Sequence, residues 1–185
     1  MALGGDELTI LNWNVRGVYK SEVLTFLNST SLLVNWDVMV LQEFGNHTDG
    51  QIITMDKYTI VTSPKTTGAR SLGVVLGPRI HPFLVHSSLQ IRPRTMSIDI
   101  NFVNIYIRII SAHLDPRNSV SDYNPSLSDV RFLMSNAPPK TRFIGGIDAQ
   151  CAMPSADFAN GDCDPALLGP FVCGSTSWKS DSFLE

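Results

Sequence analysis

Thr141-Arg142-Phe143-Ile144-Gly145-Gly146-Ile147-Asp148-Ala149-Gln150-Cys151 is the stretch whose reading decides how the rest of the chain is understood. Phe143 and Ile144 form a short apolar run, Gly145 and Gly146 interrupt it, and Asp148 and Gln150 follow at once. A run closed by glycines predicts the end of a buried strand. In α/β proteins ligands gather outside the carboxyl ends of the strands, so a carboxylate at this point is a candidate functional group. Asp and Gly are also ordinary turn residues, and the stretch taken alone reads first as a turn. Its weight depends on whether other strands end the same way.

They do. Working outward, Leu8–Asn14 is rich in strand formers and predicts a first strand that ends in Asn12 and Asn14. Asp37–Glu43 is a continuous apolar run closed by Gln42 and Glu43, the pattern of a strand buried on both faces. Phe102–His113 is a long strand-like stretch that leads to His113 and Asp115. Between these, Lys20–Leu33 predicts a helix, with Val23, Leu24, Phe26 and Leu27 at helical spacing and Ser21 as its cap. Thr59–Thr62 and Leu72–Leu76 predict strands, and Pro78 and Pro82 predict an irregular segment. Met96–Asn101 alternates apolar and polar residues as a half-exposed strand would. Pro125–Asn136 predicts a second helix and Arg142–Ile147 the strand quoted above; beyond Gln150 the periodicity fades.

The chain has 185 residues, enough for one domain over 1–185 with a well-buried core. Hydrophobic residues make up 43% and charged residues 17%, which excludes a disordered chain. The net charge of −3 and pI near 5.7 argue against a simple DNA-binding module. They argue less against an enzyme that brings divalent cations to its substrate. Cys151, Cys163 and Cys173 match neither a disulfide framework nor a zinc site, and read as incidental thiols of a reducing compartment. The first residues carry no basic region followed by an apolar one. A secretory signal is therefore not expected, and an intracellular location, compatible with the nucleus, is. No apolar run reaches membrane-spanning length.

Taken singly, a strand-terminal Asn is usually a turn former, a terminal Glu a solvated charge, and a lone His a structural residue. Four such ends brought to one edge would place two carboxylates, several amides and an imidazole in one cleft. That donor set suits phosphoester hydrolysis with a hard cation, because Mg²⁺ takes one or two carboxylates and completes its shell with water and phosphate. A second carboxylate can orient the attacking water, and a histidine can protonate or hydrogen-bond the phosphate.

Ile10-Leu11-Asn12-Trp13-Asn14-Val15-Arg16-Gly17 followed by Asp37-Val38-Met39-Val40-Leu41-Gln42-Glu43 resembles the first two motifs of the endonuclease/exonuclease/phosphatase superfamily. Within it, the chain is most similar to the apurinic-type endonuclease domain of non-LTR retrotransposons, with Gly169-Pro170-Phe171 matching a Gly-Pro-Tyr/Phe element. The resemblance implies an α/β four-layer sandwich, in which two packed mixed β-sheets are flanked by helices. It implies metal-dependent cleavage of phosphodiesters, with DNA as substrate and Mg²⁺ or Mn²⁺ as cofactor. It implies Glu43 as the metal carboxylate and Asn14 as a residue positioning the metal or the scissile phosphate. Ile147-Asp148-Ala149-Gln150 takes the place of a Gly-Asp-x-Asn motif, so Asp148 would orient the water and Gln150 stabilise the phosphate. Ser111-Ala112-His113-Leu114-Asp115-Pro116 matches the His version of another family motif, so His113 would contact or protonate the phosphate.

The chain also departs from the family pattern. Gly-Asp is Ile147-Asp148, Asn is Gln150, and a closing Asp and Ser-Asp-His are not found before Glu185. The expectation is a domain incomplete at its C-terminus, lacking the last strands of one sheet. Such a domain would be marginally stable, prone to self-associate through that edge, and weak as a nuclease. Two alternatives stay open: a same-fold phosphatase or phosphodiesterase acting on a small or lipid substrate, and a catalytically inactive domain kept for binding.

Overall fold

A strand that buries both faces needs a packed layer on either side, and Val38–Gln42 is buried at every position. The computed structural model describes residues 8–18, 22–33, 35–66, 70–102, 105–114 and 120–148. Ser21, Asp115, Gln150, the three cysteines and Gly169-Pro170-Phe171 lie outside them. In order, the elements are β1 (Ile10–Asn14), α1 (Val23–Leu33), β2 (Val38–Gln42), β3 (Gln51–Met55), β4 (Tyr58–Thr62) and β5 (Gly73–Leu76). Two short 3₁₀ turns follow, then β6 (Gln90–Arg92), β7 (Thr95–Phe102), β8 (Ile105–His113), α2 (Val120–Ser135) and β9 (Arg142–Asp148).

These strands form two mixed sheets, one ordered β1-β2-β5-β4-β3 and the other β6-β7-β8-β9. The period of two along each strand sorts its side chains between layers. Val38, Val40, Val61, Val74 and Leu76 of the first sheet meet Met96, Ile98, Ile100, Ile107 and Ile109 of the second. The alternate residues Met39, Leu41, Tyr58, Ile60 and Val75 turn outward to Val23 and Leu27 of α1. On the far side α2 packs on β7 and β8. The order helix, sheet, sheet, helix is the four-layer α/β sandwich. Among the described residues no helix is long and apolar enough to cross a membrane.

Several elements differ from the sequence reading. β7 is not half exposed: its positions 95–100 are all buried. Its polar face lies under α2, where Asp99 accepts hydrogen bonds from Arg108 Nε (2.7 Å) and Nη2 (2.8 Å). The Arg108 guanidinium also donates to the Leu133 carbonyl. The stretch expected as one strand over Phe102–His113 is divided. Phe102 closes β7 and pairs with Ile105 of β8 in an antiparallel hairpin. α2 begins upstream at Val120 and carries Pro125 within it. β3 and β6 were not expected. Each is one arm of a tight hairpin, turning at Asp56 (φ +55°) and at Pro93-Arg94 (Arg94 φ +63°). Gly145 and Gly146 do not end a strand either, since β9 runs through them to Asp148.

Candidate active site

Only two strand pairs are parallel, β1 with β2 and β8 with β9, one in each sheet among the described residues. Their registers match Asn14 to Gln42 and His113 to Asp148, so each pair ends in polar residues side by side. On the inner faces the apolar core gives way to polar groups step by step. Val38 and Val40 lead to Gln42, Ile109 to Ser111 and His113, and Ile144 to Gly146 and Asp148.

The transition is hydrogen-bonded across the sheets. Gln42, 1% exposed, donates from Nε2 to Asn12 Oδ1 (2.8 Å) and to the Gly146 carbonyl (3.2 Å). The Ser111 hydroxyl donates to the Leu41 carbonyl (3.1 Å). Gly146 is what allows this approach. A Cβ there would lie 2.4 Å from Asn12 Oδ1 and 2.5 Å from Val40 Cγ1.

One step further along the same faces, four predicted site residues come together. Asn14 Nδ2 donates to Glu43 Oε1 (3.0 Å) and to Asp148 Oδ2. His113 Nε2 stands 4.0 Å from Asp148 Oδ2. Strict alternation would send Glu43 to the α1 side, but its backbone is left-handed (φ +53°) and its side chain joins the cluster. A non-glycine residue in that region costs about 1–3 kcal/mol, and such strain persists where the surroundings enforce it. The Asn14 amide is oriented from both ends. Its oxygen accepts the Arg16 N–H (3.0 Å), which leaves the NH₂ for the carboxylates.

Two carboxylates meet in this cluster. Single ligand atoms of Glu43, His113 and Asp148 lie within 4.8 Å of one another. Two carboxylates at that range repel by on the order of 3 kcal/mol at an effective dielectric of about 20. Asn14 offers both of them only a neutral donor. Arg70 approaches Glu43 Oε2 at 3.5 Å from an exposed position, where solvent weakens the pair. A divalent ion with bonds of about 2.0–2.6 Å to oxygen bridges donors roughly 4–5 Å apart. The donor set therefore fits a hard cation.

Arg70 and the Arg16 backbone were not singled out from the sequence. Arg70 lies within an aperiodic Pro/Thr/Gly/Arg loop, which carries no pattern to place it. Gln42 had a usable signal, since it shares the parity of Val38 and Val40 and so faces the other sheet. Gln150 falls outside the described residues.

No protein-family model matches the chain, and no curated protein matches it. Solved structures do. D. rerio TDP2 complexed with a single strand DNA product aligns with TM-score 0.56 at 17% identity, over 84% of this chain and 65% of that one. The endonuclease domain of TRAS1, a telomere-specific non-LTR retrotransposon, aligns with TM-score 0.51 at 16% identity, over 78% and 60%. An endonuclease/exonuclease/phosphatase family protein from Leptotrichia buccalis aligns with TM-score 0.54 at 17% identity, over 84% and 73%. The chain thus spans between 60% and 73% of these proteins and shares their fold.

Proposed function

We propose that this chain, with its endonuclease/exonuclease/phosphatase fold, is a divalent-cation-dependent phosphodiester hydrolase that acts on DNA. The observation that carries the reading is the meeting of Glu43 and Asp148, from different sheets, on one Asn14 amide beside His113. Solved chains of this fold include an endonuclease domain and a protein holding a DNA product, which supports DNA over a small or lipid phosphate ester.

Glu43 and Asp148 would hold Mg²⁺ or Mn²⁺, with Glu43 the principal ligand and Asn14 fixing both carboxylates around it. Such an ion, when bound, polarises the phosphoryl oxygen and stabilises the leaving oxygen. The protein's own groups supply the rest. Asp148, steadied by Asn14, orients the attacking water and accepts its proton. His113 Nε2, beside Asp148, contacts a phosphate oxygen where negative charge builds. Gln150 is assigned to the phosphate by the resemblance.

The test is hydrolysis of plasmid DNA and of bis-p-nitrophenyl phosphate with Mg²⁺ or Mn²⁺. Activity abolished by chelator, and lowered about 10²-fold or more by Glu43→Gln or Asp148→Asn, is the expected result. Turnover that survives EDTA, or variants as active as the parent, would contradict it.

A further inference from the structure

Beside Arg70, which lies 3.5 Å from Glu43, the surface opens into a cavity of about 430 Å³. Its walls come from three loops and the start of β3: Arg16 after β1, His47 and its neighbours after β2, Arg70 before β5, and Gln51. Among the described residues, none of those lining it is acidic, in a chain whose net charge is −3. Its size falls within the range of small-ligand sites.

Arg70 belongs to both places. Its Nη1 donates to the Arg16 carbonyl and lies 3.5 Å from Glu43 Oε2, and it also lines the cavity. Gly17 makes room for it: the backbone there is left-handed (φ +98°), and a Cβ would lie 2.7 Å from Arg70 Nη1. A cation arriving at Glu43 competes with Arg70 for that carboxylate. The displaced guanidinium, 45% exposed and anchored at the loop, has the cavity beside it. A guanidinium grips phosphate with a planar fork of donors, which no neutral side chain matches.

We propose that the cavity lined by Arg16, His47 and Arg70 is a second phosphate-binding subsite. It holds a phosphate that neighbours the scissile one along a nucleic-acid strand, with Arg70 passing from Glu43 to that phosphate. This rests on the hydrolase reading and deepens it. The preferred substrate is a strand bearing several phosphates, and an ester with a single phosphate leaves the subsite empty.

The experiment has two arms. In the first, a short fluorescein-labelled phosphorothioate DNA strand, which resists cleavage, is titrated by anisotropy against the full chain at a fixed Mg²⁺ concentration, between about 50 and 200 mM salt. Each phosphate that the protein no longer neutralises lowers the slope of log K against log salt by roughly 0.7 for single strands. Arg16→Gln/Arg70→Gln, which empties a subsite for one phosphate, should flatten it by about 0.7 and weaken low-salt binding about tenfold or more. Arg70→Lys, which keeps the charge, should retain most of the slope. In the second arm, kcat/KM on a DNA strand is divided by kcat/KM on bis-p-nitrophenyl phosphate. The double variant should lower that ratio about tenfold, through KM for the strand. An unchanged slope, or equal losses on both substrates, overturns the subsite. A chain that hydrolyses neither substrate overturns the hydrolase reading, while the binding arm still decides the subsite.

Discussion

The two ends of β2 each carry a carboxylate, and the chain treats them in opposite ways. At the start, Asp37 is 6% exposed and fully answered. It accepts the Thr9 N–H (2.9 Å), Arg79 Nε (2.7 Å) and Arg79 Nη2. The hydrogen bonds to Asp37 raise the Arg79 guanidinium above its ordinary value, against the opposing effect of desolvation. At the finish, Glu43 sits in a strained backbone beside a second carboxylate, with one neutral amide shared between them. Asp99 under α2 follows Asp37, held by a two-pronged Arg108. Carboxylates that hold the fold together are closed by arginine. The two at the strand ends instead share the Asn14 amide, with the exposed Arg70 near Glu43 and His113 near Asp148.

The comparison breaks first at its most buried point. Arg108→Ala strands the Asp99 charge in the interior, and urea denaturation should show a loss of about 3–5 kcal/mol. Asp99→Leu/Arg108→Met removes both charges and should lose much less; an equal loss would mean that packing, not charge, sets the cost. Gly146→Ala should cost about 1–3 kcal/mol by the same measurement, because its Cβ meets Asn12 and Val40 where the sheets close together.

At the strand ends the sign should reverse. Glu43→Gln and Asp148→Asn relieve like-charge repulsion, so in EDTA their melting temperatures should equal or exceed the parent's while hydrolysis falls. A drop comparable to that of Arg108→Ala would make these residues structural. The smallest effect belongs to Asp129, whose carboxyl is raised by burial and lowered in part by Arg92. A raised folded-state value means the charged form is disfavoured on folding. The contribution is present in acid and is lost as pH rises through the folded-state value. Asp129→Asn should therefore gain stability over the parent as pH rises through the carboxyl range, and a difference that does not change with pH would contradict this.

Much of this arrangement was legible in the residues. β2 could be read from its unbroken apolar run, and the ends of β1, β2, β8 and β9 from the polar residues that close them. The second face of β7 was not. Ser97 and Asp99 look solvated until α2, far downstream, and Arg108, on the neighbouring strand, cover them. Gly146 read as a breaker because the rule for glycine is local, whereas its role is set by Asn12 and Val40 across the sheets. β3 and β6 escaped because short hairpin arms carry too few residues for a period to show. Arg70 escaped because loop position follows from tertiary closure, not from any repeat. The site was readable where it is built on strands and unreadable where it is built on loops.

The central claim is the proposal that Glu43 and Asp148 bind a hard cation. Isothermal titration of Mn²⁺ into the chelator-stripped chain, its Glu43→Gln variant and its Asn14→Ala variant tests it most directly. The account predicts one saturable site in the parent, a loss of affinity of about tenfold or more in Glu43→Gln, and a smaller loss in Asn14→Ala. Equal affinity in the parent and Glu43→Gln, or no binding in the parent, would contradict it.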